Sequence, residues 1–322
     1  MLFRIFREWC FLRKVLELRK NLRKIALEKY FHPFFPPYLF HAIICYRPCQ
    51  NAGIPCLNRP PVLLYLSRKK TIAMISLSTL PIGDLSQFDW IAHFEANHNH
   101  RLQIDFSAEP ELTPEEKSLI SPSIQSFQKG EASGGHFLLR CAKRYADRNH
   151  DPKYPGAMEW FVREENWHSA YLRKYMDYHR IPVSRHSLLD DIFRLLRKTG
   201  GLRSEVIVLI TAEMIALSYY RALAECVDSP ALKSICRQML KDELPHIVFQ
   251  SHTLYKLKPH PIEKLLRILL MEAAMTVVWF CYKNVFQAGG YSYRRLAADC
   301  FGYLRQSIQI EEKGNLMPRC LQ

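Results

Sequence analysis

Two short strings set a carboxylate three residues ahead of an imidazole: Glu165-Asn166-Trp167-His168 and Glu243-Leu244-Pro245-His246. On a helix that spacing brings both side chains to one face, about 5–6 Å apart at Cβ, within reach of a single metal ion. A lone glutamate in a helical stretch precedes each pair: Glu131 lies 34 residues before Glu165, and Glu213 lies 30 residues before Glu243. Four carboxylates gathered in one apolar interior would repel and be driven towards protonation, because burial and like charge both raise a carboxyl pKa. Divalent cations neutralise that charge. An oxygen-plus-imidazole donor set suits iron or manganese better than thiolate-preferring metals.

The turns needed to bring these residues together are legible too. If each lone glutamate and its pair sit at one depth in two antiparallel helices, the turn lies midway between them. The midpoints are residues 148 and 228, where the chain reads Arg148-Asn149-His150-Asp151-Pro152 and Asp228-Ser229-Pro230. Both are Asx-Pro turn chemistry, and Pro230 suits the first turn of a following helix. At about 1.5 Å per residue the ligands would lie roughly 22–26 Å from their turns, inside a long bundle rather than at its rim. The stretch from Arg180 to Gly201 would then cross from the second helix to the third. Its apolar pairs Leu188-Leu189, Ile192-Phe193 and Leu195-Leu196 recur at helical spacing, so it can bury one face on the way.

With Gln128-Lys129-Gly130-Glu131, Arg163-Glu164-Glu165-Asn166-Trp167-His168, Leu209 to Leu217 around Glu213, and Lys241-Asp242-Glu243-Leu244-Pro245-His246, the chain resembles the ferritin-like superfamily over roughly residues 85 to 300. Within it the similarity is to the oxygen-activating branch of acyl-carrier-protein desaturases and small bacterial ferritin-like proteins. The resemblance implies an all-α fold, a ferritin-like four-helix bundle with a crossover between its second and third helices and additional flanking helices. It makes Glu131, Glu165, His168, Glu213, Glu243 and His246 the metal ligands, with Glu165 and Glu243 as bridges. It implies two iron ions, or alternatively manganese or a mixed manganese–iron pair. The implied activity is an oxidoreductase that activates dioxygen on a small-molecule or acyl substrate, supplied by an external electron donor; a homodimer is compatible with it. The alternatives are a ferritin-like metal-binding protein without an organic substrate and a degenerate, non-catalytic bundle.

Glu164 and Asp242 each stand four residues before a histidine, and such an acid can hold an imidazole Nδ1–H across the bundle and fix its tautomer. Pro245 departs from the family pattern. It removes a backbone donor between Glu243 and His246 at a cost of about 3 kcal/mol in a regular helix, and so threatens to kink the helix or displace His246. Tyr219 and Tyr220 follow Glu213 at helical spacing and read as core aromatics before they read as redox groups. Glu272, one acid in the apolar run Ile268 to Tyr282, reads as turned to a polar partner rather than as a further ligand; that run is shorter than the roughly 20 residues of a membrane span.

Helices are expected at Asp89 to His100, from Thr113 as N-cap with Pro114 in the first position, and at Tyr154–Tyr178, Leu202–Cys226, Ala231–Leu257 and Ile262–Ala288. Pro122 is expected to interrupt the second of these. No β pattern of any length competes. The ten cysteines are scattered, and the trio Cys45, Cys49 and Cys56 has no second half to complete a zinc site, so reduced thiols in a cytoplasmic protein are the expectation.

Charge divides the chain unevenly. Residues 1–82 hold 14 Lys/Arg against 3 Asp/Glu, a net of +11, so only +3 of the overall +14 belongs to residues 83–322. Leu2 to Tyr30 alternates apolar and basic residues, and prolines then break the sequence up to Pro61. A weak membrane-surface contact is one reading of this extension. A solvated tail upstream of Met74 is the other, and no nucleic-acid motif is present. The start lacks the unbroken apolar core of a secretory signal. On this reading a chain beginning at Met74 should keep its helical content and cooperative unfolding, measured by circular dichroism during denaturation. Loss of folded protein on that truncation would make the extension integral.

Overall fold

The computed structural model describes residues 74–132, 135–184, 201–258 and 262–316, and among these every regular element is helical. After a short 3-10 turn at Leu77–Thr79 come α1 (Trp90–Asn99), α2 (Pro114–Glu131), α3 (His136–Asn149), α4 (Tyr154–Tyr178), α5 (Leu202–Cys226), α6 (Pro230–Lys256), α7 (Glu263–Ala288) and α8 (Tyr293–Lys313). Residues 18–73, and with them the cysteine trio, fall outside this compact unit and outside the described residues. Residues 74–82, grouped with the extension by charge, pack on the helices. Leu77 is buried, and its N–H and the Ser76 hydroxyl both donate to Gln306 Oε1 of α8, at 2.8 and 2.9 Å.

Four positions close into a ring: α4 packs on α6, α6 on α5, α5 on α2 and α3, and these in turn on α4. The first position, expected as a helix from Thr113 interrupted at Pro122, is shared by two segments. The break is not where proline suggested. Pro122 sits inside α2, on an exposed face where solvent can satisfy the Ser118 carbonyl that loses its donor. Instead α2 ends at Glu131, and α3 begins beyond Gly135, whose φ of +56° favours glycine. A Cβ at Gly135 would lie 2.7 Å from Val162 Cγ1, so the glycine also lets the chain approach α4 closely.

The two turns fall as anticipated. His150 closes α3 in the left-handed region ahead of Asp151-Pro152, and Ser229 caps α6 by accepting from the Leu232 N–H at 3.0 Å, with Pro230 in the first turn. A loop carboxylate, Glu109, sets the register of α4 against α6. It accepts from His179 Nε2 at the end of α4 at 3.1 Å, and from the Ser229 hydroxyl and the Ala231 N–H (2.8 Å) at the start of α6. An anion at a helix N-terminus also complements the helix dipole. At the opposite end Lys256 of α6 pairs with Asp151 beside the start of α4, at 3.0 Å. The two helices thus run antiparallel, as do α5 and α6 across their short turn. It follows that α4 and α5 run in parallel, and the chain between them joins opposite ends of the bundle. The amphipathic run Leu188 to Leu196 lies outside the described residues.

Helices α7 and α8 flank α5 and α6, and α1 lies against α4. Both α5 and α7 are long and apolar enough to cross a membrane, but α5 is buried in the protein almost throughout. Helix α7, expected as a buried bundle helix, is only partly covered: Leu265, Ile268 and Phe280 are exposed. Its end at Gly289 meets the Ala222 backbone so closely that a Cβ would fall 2.2 Å from the carbonyl oxygen. Gly289→Ala should therefore force α7 off α5 and destabilise by about 2 kcal/mol or more, whereas Gly130→Ala, with open space around it inside α2, should stabilise by about 0.5–1 kcal/mol. Urea unfolding of both variants checks the contrast.

Candidate metal centre

The structure brings all six anticipated ligands together in two groups that share two members. Glu131, Glu165, His168 and Glu243 offer atoms within 4.8 Å of one another, and so do Glu165, Glu213, Glu243 and His246. The shared pair is Glu165 and Glu243. They come from the two Glu-x-x-His strings, one on α4 and one on α6, so each stands between both groups. His246 Nδ1 lies 2.9 Å from Glu165 Oε1 and 3.4 Å from Glu243 Oε2, and His168 Nδ1 lies 3.3 Å from Glu243 Oε1 and 3.9 Å from Glu165 Oε1. Two donors bound to one ion at about 2.1 Å, at right or tetrahedral angles, stand roughly 3.0–3.4 Å apart.

These atoms approach without satisfying each other. Glu165 Oε1, Glu213 Oε2, both oxygens of Glu243 and Nδ1 of both histidines are buried and make no aligned hydrogen bond. Unsatisfied buried polar atoms are costly and rare. Six of them facing one volume have the donor chemistry that divalent cations require, so the residues fit a metal centre.

The imidazoles are held from behind by exchange across the bundle. His246 Nε2 on α6 contacts Glu164 Oε2 of α4 at 2.7 Å, and His168 Nε2 on α4 contacts Asp242 Oδ2 of α6 at 3.3 Å. Each acid meets a histidine of the facing helix, but not at the anticipated nitrogen. Nε2 rather than Nδ1 meets the acid, because Nδ1 is turned to Glu165 and Glu243. With the Nε2–H donated to a carboxylate, Nδ1 keeps the lone pair that ligation needs. The Gln238 amide steadies Asp242 by donating to both of its oxygens at 2.9 Å. Phe94 and Phe161 pack against the His246 ring.

Pro245 does not displace His246. Helix α6 runs unbroken from Pro230 to Lys256, and the carbonyl that loses its donor belongs to exposed Lys241. Glu131 stands at the C-terminal end of α2 instead of mid-helix. There Gln128 and Ser169 exchange hydrogen bonds at 2.9 and 3.1 Å, tying the end of α2 to α4 one residue beyond His168. Glu272 joins neither group.

Two contacts were missed by sequence reasoning. The Tyr220 hydroxyl donates to Glu131 Oε1 at 2.5 Å, and the Gln250 amide donates to Glu213 Oε1. Gln250 is one turn beyond His246, a spacing that placed it on the ligand face and went unused. Tyr219 is core: its hydroxyl meets Ser123 at 3.0 Å and its ring stacks on Phe127.

Burial raises the carboxyls of Glu131 and Glu213 well above the ordinary range, and the neighbouring charges of Glu165 and Glu243 add to it. Burial would raise Glu243 too, but its contacts with His168 and His246 outweigh that and hold it at about 2. Burial would lower both imidazoles; Asp242 and Glu243 around His168, and Glu164, Glu165 and Glu243 around His246, raise them well above 6.5 instead. Comparison with protein-family models, curated proteins and solved structures finds no match for this chain.

The raised groups bind protons more tightly in the folded state, so without metal they favour it at low pH. The histidine contribution is complete below 6.5 and is lost as pH rises through their folded values; Glu131 and Glu213 act in the same sense from 4.5 upward. Glu243 opposes this only in acid, where its contribution is lost as pH falls below 4.5 towards about 2. Metal-free protein should therefore melt at a lower temperature at about pH 9 than at about pH 6, and saturating manganese should shrink the difference, because the cation replaces the protons. Scanning calorimetry with and without metal checks both.

Proposed function

We propose that the protein is a ferritin-like, di-metal carboxylate oxidoreductase of the iron or manganese type, acting on a small or acyl substrate with electrons from an external donor. The observation that carries this is the pair of four-residue groups sharing Glu165 and Glu243, an arrangement suited to two ions with two common carboxylates. The ring of helices supports it, with one connection joining opposite ends of the bundle, as does the donor set itself.

On this reading Glu131 and His168 would hold one ion and Glu213 and His246 the other, with Glu165 and Glu243 available to both. When bound, such a pair supplies one-electron chemistry towards dioxygen. The chain's own residues do the rest. Glu164 and Asp242 keep both imidazoles in the Nδ1-ligating tautomer, and Phe94 and Phe161 keep water from the His246 side. Tyr220, whose pKa burial and Glu131 raise well above 10, stays a hydroxyl donor and aims the Glu131 carboxylate. Gln250 does the same for Glu213. The non-catalytic alternative rested on Pro245 displacing His246, and His246 Nδ1 faces the other donors.

Elemental analysis tests the reading. The purified chain reconstituted with ferrous iron or manganese should hold close to two ions, and Glu243→Ala, which removes a carboxylate common to both groups, should lose both. Anaerobic loading with ferrous iron followed by air should develop near-ultraviolet absorption that the variant lacks. Pro245→Ala should leave the stoichiometry unchanged. A chain that takes up no metal, or gains it only with Pro245→Ala, overturns the proposal in favour of a bundle without catalysis.

A further inference from the structure

Helix α7 buries one side against α5 and leaves an apolar stripe on the other. Leu265, Ile268 and Phe280 are exposed, Leu269 and Trp279 are half-buried, and at helical spacing all five fall on one face. The stripe runs roughly 22 Å along the helix, at about 1.5 Å per residue. One charge interrupts it: Glu272, half-buried and one turn beyond Ile268. Contiguous exposed apolar surface of this kind marks a place of contact.

The sequence holds a match for it outside the described residues. From Leu2 to Leu16, the residues Leu2, Ile5, Phe6, Trp9, Leu12 and Leu16 recur at the spacing of one helical face, with Arg4, Arg7, Glu8 and Lys14 on the opposite one. As a helix that face would be roughly 21 Å long, the length of the α7 stripe. It too is interrupted once by a charge, Arg13, four residues after Trp9 and three before Leu16. The two interrupting charges are opposite in sign. The point where the extension joins the described structure favours the same place. Met74 lies against the middle of α8, where a Cβ at Gly302 would stand 2.7 Å from its sulfur. Helix α8 packs on α7, and its Tyr293 hydroxyl lies 3.0 Å from Thr276 Oγ1. The stretch from Leu18 to Ala73 holds more residues than the longest helix of the bundle, and an extended residue covers about twice the length of a helical one, so the chain can return to α7.

We propose that residues 2–16 seat on the outer stripe of α7 within the same chain, as an amphipathic helix that brings Arg13 to Glu272. Glu272 decides between occupants. In a two-fold dimer about the middle of the stripe it would meet its own copy, and in a bilayer it would sit among hydrocarbon without a counter-charge. The N-terminal segment brings a cation along with its apolar face. The inner face of α7 is already buried, so the segment is a cover added to the bundle and not part of its core. The proposal does not rest on the metal reading, because no residue of either stripe is one of the six metal-facing groups.

Hydrogen exchange on the full chain, read by mass spectrometry, tests this. Amides of residues 2–16 should exchange at least about tenfold more slowly than in a variant carrying Leu265→Asp and Phe280→Asp, while peptides from α5 and α6 should exchange alike in both, which checks the fold. Glu272→Arg and Arg13→Glu should each speed exchange of the segment, and the two together should restore part of its protection, as a direct pairing requires. If the aspartate variant does not fold, the charge swap carries the test. Light scattering and co-sedimentation with phosphatidylserine vesicles address the other two occupants. Unprotected residues 2–16, protection indifferent to the α7 substitutions, or no restoration by the charge swap would overturn the proposal. So would a dimer, or vesicle binding, that the α7 substitutions abolish.

Discussion

Buried negative charge is the constraint on which the rest of this molecule depends. Glu131, Glu165, Glu213 and Glu243 turn towards one interior volume together with the imidazoles of His168 and His246. Self-repulsion and desolvation would disperse such a set unless each group were held. The way the charge settles shows how uneven the holding is. Glu243, between both histidines, stays ionised down to about 2, while Glu131 and Glu213, at the outer ends, are driven towards the neutral form. Protons can thus meet part of the deficit, and cations would meet all of it.

The register of α4 against α6 makes the arrangement reachable. Each helix carries an acid that holds the histidine of the other, so the two ligand strings stabilise one another only if the helices are antiparallel and level. Glu109 enforces that from outside the bundle by gripping the end of α4 and the start of α6 with one carboxylate. Sliding α4 by one turn, about 5.4 Å, would separate both acid–histidine pairs together. The centre is therefore cooperative with a loop contact far along the helices from it.

Much of this was legible because it rests on local rules. Turn chemistry at Asp151-Pro152 and at Ser229-Pro230, the Thr113 cap and the ends of α4 and α5 follow from residue types over a few positions. The ligand faces follow from helical spacing. Other features depend on what a residue meets across the bundle, and no local rule supplies that. Pro122 and Pro245 look like breakers, but each removes a bond to a carbonyl on an exposed residue, which solvent can reach. The real break is set by the approach of Gly135 to Val162, a distance between α4 and the start of α3 that spacing cannot show. The choice of Nε2 over Nδ1 follows from which side of each ring the four carboxylates occupy. Only the assembled bundle defines that.

The repeat in the sequence is consequently a repeat of ligands more than of structure. Glu213 stands in the middle of α5, the most completely buried helix, and its outer oxygen is held by an amide from Gln250. Glu131 stands at the last residue of α2, keeps some exposure, and is held by a phenol from Tyr220. An amide can rotate to offer either a donor or an acceptor, whereas a phenol with a raised pKa keeps its proton, and here the Tyr220 hydroxyl donates it to Glu131. The corresponding position on α4, one turn beyond His168, is Leu172, which offers neither. The two halves present the same donors to the centre and support them by different means: one group is sealed within the core, and the other stands where the first helical position divides. Any asymmetry between two bound ions would originate there, in the backbone after Glu131, rather than in the ligands themselves.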